Sequence, residues 1–249
     1  MALYEFDAVR LCVQADLCAG AMVDLDRTQG NYLLNVMRLR PGDRVLVFNG
    51  RDGEFEARLG GDRKRPALTV DSLVRVQTPA SHLRFLFAPL KHARLDYLVE
   101  KSVELGAGSI EPVITRRTQV ARVNLERMRA NIVEAAEQCG IISLPRLIEP
   151  EPLEARLARL TGDTRLVFCD EDAPIADPLR ALAGDHAGPT AVLIGPEGGF
   201  DPRERQMLLG VPGCVRLSLG PRILRADTAA VAALSLVQAI HGDWRTLNP

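Results

Sequence analysis

The chain has 249 residues, 47% apolar and 25% charged, with a net charge of −1 at neutral pH, the balance of a soluble globular protein with one large domain or two ordinary ones. The longest apolar run, around Ala229 to Ile240, is too short to span a bilayer, so no membrane partner is expected. Five scattered cysteines (12, 18, 139, 169 and 214) lack any Cys-x-x-Cys spacing, which argues for free thiols in a reducing cytoplasm rather than a disulfide or zinc framework. The opening residues Met1 to Asp7 show no basic and apolar leader pattern, and the four histidines have no metal-ligand spacing. A cytoplasmic protein without a metal is the expectation.

Taken in order, Asp26 or Thr28 opens an amphipathic helix through Tyr32, Leu33, Val36 and Met37, stopped by Pro41-Gly42-Asp43. Alternating strands follow at 44–49, 54–59 and 67–74, with a turn at 49–53 and a polar loop at 60–66. Short strands in close succession predict a small β-barrel over residues 1–74. The Thr78-Pro79-Ala80-Ser81 stretch reads as a linker, and a second domain is expected over 80–249. There, strands at 83–88, 110–114, 146–148 and 165–169 alternate with helices at 94–105, 124–139 and 153–160, with Gly140 as a C-cap. That alternation indicates a parallel α/β sheet. Residues 73–130 carry ten lysines and arginines against five acids, either an RNA-facing patch or solvated helix faces.

The most informative stretch is strand–loop–helix twice over. Ala191–Ile194 runs into Gly195-Pro196-Glu197-Gly198-Gly199-Phe200, and Cys214–Leu217 runs into Ser218-Leu219-Gly220-Pro221-Arg222-Ile223-Leu224-Arg225. Asp227 or Thr228 reads as the N-cap of the last helix. Loops at the carboxyl ends of parallel strands are where ligands bind. Neither a dinucleotide Gly-x-Gly-x-x-Gly nor a triphosphate Gly-Lys-Ser/Thr is present, and Glu197 would repel a phosphate. A carboxylate beside exposed backbone suits a positively charged ligand such as a sulfonium or an amine. Either glycine cluster alone reads as a tight turn; the two together, with two arginines, read as a site. A Cβ at Gly198 or Gly220 is expected to disturb it. The last helix is apolar on nearly every face and is expected either deep in the core or against a partner.

Leu193–Phe200 and Leu219–Ala230 resemble the two knot motifs of the bacterial 16S rRNA uridine-N3 methyltransferases, a family of the SPOUT class. Residues 31–43 resemble that family's PUA-like RNA-binding domain, and Lys91, Glu100–Gly106, Arg117 and Glu134–Gly140 match its pattern. Asp227 stands where the pattern leads one to expect Glu, Asn31 where one expects His, and Ile141 where one expects Arg.

The resemblance implies an N-terminal PUA-like barrel and a C-terminal α/β domain with a deep trefoil knot at about 190–230. It implies S-adenosylmethionine as methyl donor, held by Leu193, Ile194, Gly195, Glu197, Gly198 and Gly199 of the first loop. From the second loop, Leu217, Ser218, Leu219, Gly220, Ile223, Leu224 and Thr228 would join them. The implied target is N3 of a uridine in 16S rRNA of the small ribosomal subunit, and the implied assembly a homodimer. Negative charge spreads onto the uracil oxygens as the N3 proton leaves, so a guanidinium is the useful group, with Arg225 first and Arg222 second. Arg38, Arg40, Lys91 and Arg117 are the candidate RNA contacts; Arg38 and Arg40 read equally well as solvated residues at a helix end. A methyltransferase of the same class acting on another RNA such as tRNA, or an RNA-binding dimer without catalysis, are the competing readings.

Overall fold

The computed structural model describes residues 8–62, 65–120 and 122–245; the first seven residues, on which the reading of no leader rested, lie outside it. Two compact units emerge. One is Met1–Ala80 with Val133–Leu144, the other Ser81–Ile132 with Pro145–Pro249.

The first unit is a five-stranded sheet of β1 (Arg10–Cys12), β2 (Met22–Asp24), β3 (Arg44–Phe48), β4 (Glu54–Asp62) and β5 (Arg65–Arg75) in the order β1-β3-β4-β5-β2. Only β1 and β3 are parallel. Alternation along β4 sends Phe55, Ala57 and Leu59 into a core with Val45, Val47 and Leu68, capped by fully buried Leu33. No ladder joins β1 to β2 among the described residues, so the expected barrel is an open, half-barrel sheet. The segment read as a polar loop at 60–66 instead extends β4 and β5, whose backbones stay paired through Asp62 and Arg65. Three-residue strands carry too little alternation to be seen, which is why β1 and β2 were not expected.

Asp26 caps α1 (Arg27–Asn31) in a capping box with Gln29. The helix then widens into one π turn over Tyr32–Val36, with Met37 N–H bonded to the Tyr32 carbonyl at 2.9 Å. Arg38 closes it at φ 58, while Leu39 N–H reaches back to the Leu33 carbonyl at 2.9 Å. Glycine ordinarily holds this left-handed closing position, and a side chain there costs roughly 1–2 kcal/mol. Buried Glu54 lies between Arg10 (3.1 Å) and Arg75 (2.9 Å), so its charge is matched twice.

The second unit is a wholly parallel sheet with the order β12-β10-β11-β6-β7-β8, and β9 beside β7. Its strands are β6 (Leu83–Phe87), β7 (Ser109–Ile114), β8 (Arg146–Leu147), β9 (Glu151–Pro152), β10 (Arg165–Cys169), β11 (Thr190–Ile194) and β12 (Val215–Leu217). The helices are α2 (His92–Glu104), α3 (Leu125–Cys139), which from Val133 on is counted with the first unit, α4 (Leu153–Ala158), α5 (Pro178–Leu182), α6 (Pro202–Leu209) and α7 (Ala226–His241). Every residue of β11 is buried, as a strand covered on both faces should be. One face packs Leu86, Val113, Phe168 and Leu193 against Leu153 and Leu208. On α7, Ala226, Ala229, Ala230, Ala233, Leu234, Val237 and Gln238 form one buried stripe, while Val231, Ala232, Leu236 and Ile240 are half-buried. The helix is therefore not enclosed by its own unit on every side. Gln238 sits in the stripe because its amide donates to the Leu105 carbonyl at 2.6 Å and accepts from Asp243 N–H at 3.1 Å. All five cysteines are free thiols, and burial pushes Cys169 up to about 12.

At the outer edge, buried Asp170 follows β10 and accepts from Arg216 of β12 (2.6 Å) and Arg205 of α6 (3.0 Å), while its N–H bonds the Leu217 carbonyl at 3.1 Å. Removing a buried charge that holds two partly exposed arginines should cost about 3 kcal/mol. We expect Asp170→Ala to lose that much unfolding free energy in urea, with β12 the first amides to exchange. A loss below about 1 kcal/mol would show that the pairs only decorate the edge.

Candidate active site

Three connections leave the carboxyl edge of the parallel sheet close to one another in the second unit: Ala88–Lys91 after β6, 195–201 after β11, and 218–225 after β12. Arg94, in the first turn of α2, ties them together. Its Nε lies 2.9 Å and its Nη2 3.2 Å from the two carboxylate oxygens of Asp227, in the first turn of α7, and its Nη1 pairs with Glu197. From the loop after β7, Arg117 Nη1 donates to the Gly198 carbonyl at 2.6 Å. Pro89, Lys91, Arg94, Arg117, Pro196 and Glu197 border a cleft of about 190 Å³. Hydrogen bonding to the Arg94 guanidinium holds the Asp227 carboxyl below its ordinary value, helped by Thr228 N–H at 2.9 Å. These side chains are partly exposed, so each pair contributes no more than about 1 kcal/mol. Their consequence is geometric: two loops and a helix start are held in one place.

Leu193, Ile194 and Leu217 are the buried last residues of their strands, so both loops start from fixed points. In the first loop, Gly199 N–H closes a turn on the Pro196 carbonyl at 2.8 Å. Gly195 has the Phe200 ring against it; a Cβ would meet the ring at 2.8 Å. In the second, Ser218, Leu219 and Leu224 are half-buried, Gly220 and Thr228 exposed, and Ile223 is 99% exposed, an apolar side chain that nothing among the described residues covers. Strand β10 lies between β11 and β12, so the two loops rise from strands one apart. Gly220 (φ 93) and Gly199 (φ 69) require their bare backbone, whereas a Cβ at Gly198 would make only an ordinary 3.5 Å contact with Arg117.

Arg225, not Asp227 or Thr228, is the N-cap of α7: its carbonyl accepts from Ala229 N–H at 2.8 Å, and Asp227 lies inside the first turn. The Arg222 and Arg225 side chains are exposed and meet no acceptor among the described residues, so neither is a structural arginine satisfying loop carbonyls. Lys91 and Arg117 are brought together at the cleft; Arg38 and Arg40 belong to the other unit, on a separate cavity of about 480 Å³. Arg94 was missed. It lies one turn after Lys91, in a helix whose sequence resembles any solvated surface, and nothing local marks its partners more than a hundred residues away. The Glu197 carboxylate, expected to face a ligand, is taken by Arg94.

Fold and site together define an α/β protein whose carboxyl sheet edge is mostly backbone, with a separate small β unit. Residues 77–238 match the RNA methyltransferase domain and residues 25–71 the RNA methyltransferase PUA domain, so the chain belongs to this RNA methyltransferase family. It is similar to ribosomal RNA small subunit methyltransferase E of Rickettsia conorii, 29% identical over 234 residues, covering 93% of this chain and 95% of that one. Among solved structures, ribosomal RNA small subunit methyltransferase E of Neisseria gonorrhoeae, bound to S-adenosylmethionine, superposes with a TM-score of 0.81 at 28% identity, over 93% of this chain and 97% of that one. A methyltransferase of Legionella pneumophila with bound S-adenosylmethionine gives a TM-score of 0.77 at 30% identity, with the same coverage.

The Arg94–Asp227 pair has a pH signature. A carboxyl lowered in the folded state contributes stability above its unfolded value, roughly 3.9, and loses it as pH falls through the folded value. Arg94→Ala should therefore raise the Asp227 titration midpoint, read by NMR, and its stability deficit should shrink on acidification below about pH 4. An unmoved midpoint would mean that the pair does not persist in solution.

Proposed function

We propose that the protein transfers a methyl group from S-adenosylmethionine to N3 of a uridine in the 16S rRNA of the small ribosomal subunit, working in the cytoplasm as a homodimer. In this reading residues 80–249 are the methyltransferase domain, threaded as a deep trefoil knot at about 190–230, and residues 1–74 are the PUA-like RNA-binding domain. The observation that supports it most is the pair of glycine loops on one edge of a parallel sheet, one of them presenting two arginines that meet no acceptor among the described residues and an exposed Ile223. The names and bound ligand of the similar proteins support the donor and the target.

The residues fit that donor. An adenosine wants apolar contact and backbone donors and acceptors, which Leu219, Ile223, Leu224 and the open backbone at Gly220 supply. Nothing here grips a phosphate, and the acids near the loops, Glu197 and Asp227, tolerate a cation. The sulfonium supplies an electrophilic methyl when bound. What the protein adds is position and charge. Arg225 faces the negative charge that builds on the uracil oxygens as the N3 proton leaves, with Arg222 second, and a planar forked donor suits those oxygens better than a lysine ammonium. Lys91 and Arg117 at the neighbouring cleft contact RNA phosphate. The half-buried apolar side of α7 (Val231, Ala232, Leu236 and Ile240) supports the dimer.

A deletion strain should lack one N3-methyluridine in its small-subunit rRNA by mass spectrometry, and the wild-type gene should restore it. Loss of a tRNA mark instead would move the target. Arg225→Ala should cut turnover by about 10²–10³ with donor affinity unchanged in calorimetry, and Arg225→Lys should not restore it. In the same assay Gly220→Val should lose donor binding while Gly198→Ala keeps it; equal affinity for both would remove the second loop from the site. Sedimentation at micromolar concentration should give a dimer, and a monomer would refute that assembly.

A further inference from the structure

The strands of the second unit begin at the edge opposite the glycine loops, and a cavity of about 390 Å³ opens there. The starts of β6, β7 and β8 contribute one side, and α4 with the turn at 161–164 ahead of β10 the other. Its size falls within the roughly 300–1,000 Å³ of small-ligand sites. Its lining is mostly polar. Arg84, Arg146, Arg156 and Arg159 face one acid, Glu111, while Ser81, Thr161 and Thr164 add hydroxyls. Ile148 and Pro189 are its apolar side chains.

Folding accounts for part of this charge. Buried Glu111 accepts from Arg84 Nε and Nη2, both at 2.8 Å, and from Ser109 Oγ at 2.6 Å, with Arg156 Nη1 at 3.1 Å. Its carboxylate is fully matched. Glu151 pairs with Arg156 at 2.8 Å and with Arg159 at 3.0 Å. Two carboxylates thus answer four guanidiniums, and two positive charges are left over. Arg146 carries one of them openly, for it is exposed and meets no acceptor among the described residues. Arg84 spends Nε and Nη2 on Glu111 and keeps Nη1 free of any hydrogen bond to the described residues. An ion-pair network that served folding alone would gain nothing from such a surplus.

We propose that this cavity binds a small phosphate-bearing ligand with two or more negative charges, pyrophosphate or the diphosphate end of a nucleotide, with Arg84, Arg146 and Arg159 as its donors. The chemistry selects the ligand. A positive surplus repels a metal cation, and so little apolar wall offers nothing to a lipid chain. Forked guanidiniums beside hydroxyls suit the oxygens of a phosphate, and two unanswered charges suit a diphosphate. The site is separate from the methyl-transfer loops, which leave the other edge of the same sheet. A strand of five residues is roughly 17 Å long, so the inference stands apart from the reading of those loops.

The test titrates the full chain with sodium pyrophosphate in a calorimeter, with sodium chloride holding the ionic strength constant. Wild type should bind one pyrophosphate per chain with a dissociation constant below about 1 mM. Arg146→Gln should weaken that binding about tenfold and Arg159→Gln by a similar factor, with melting temperature and S-adenosylmethionine affinity unchanged. Arg180→Gln, at an exposed arginine of α5 that does not line the cavity, should bind as wild type does. No binding by wild type, or an equal loss in all three variants, overturns the proposal. So does displacement of pyrophosphate by a single-stranded RNA oligonucleotide that binds wild type more tightly than Arg146→Gln, because the phosphates would then be those of a nucleic acid. None of these outcomes touches the methyl-transfer reading.

Discussion

A three-residue edge strand has too few ladder bonds to hold its own position, and the second glycine loop is only as well placed as the strand it leaves. Asp170 supplies the missing constraint. Its buried carboxylate takes Arg216 of β12 and Arg205 of α6 together, and its N–H takes the Leu217 carbonyl, so strand, helix and loop origin are fixed by one residue. On the far side of the loops, Arg94 does the same job more weakly, drawing Glu197 and Asp227 toward α2. Between these anchors the loops themselves are mostly backbone. That is the arrangement a site needs when its ligand must be approached closely and its chemistry asks for position more than for acid or base.

The charges around this edge follow a division that the electrostatics make plain. Acids near the loops are neutralised in pairs, so no strong field opposes a cationic donor or an anionic RNA. Arg222 and Arg225 in one unit and Arg38 and Arg40 in the other meet no acceptor among the described residues, and a polyanion is a natural partner for such arginines. A chain of net charge −1 can thus present basic surfaces where they are needed while staying near neutral as a whole.

Much of this was legible in the sequence because the relevant signals are local. Buried parallel strands such as Ala191–Ile194 show as apolar runs, and the glycines after them show as loops; Asp26 or Thr28 shows as a helix start, and Asp26 is the cap. What could not be read is what depends on distant residues or on very short elements. β1, β2, β9 and α5 are too short to carry a period. The apolar helix α7 looked uniform, yet the packing of α2 and the sheet against one side divides it into a buried stripe and a half-exposed one. The π turn and left-handed Arg38 have no motif at 32–38 to announce them. The N-cap of α7 falls on Arg225 because the loop enters in extended backbone there, overriding the better capping chemistry of Asp227 and Thr228. Arg94 acquires its meaning only when the fold brings positions 197 and 227 to it.

The account stands or falls on whether the two glycine loops hold the methyl donor. A crystal structure of the protein with S-adenosylmethionine, or its demethylated product, tests this directly. The account predicts the nucleoside against the backbone of 217–224, the amino-acid end near 193–199, and Arg225 facing the open side where a base would enter. Ligand density elsewhere, in the half-barrel cavity or away from both loops, would contradict it.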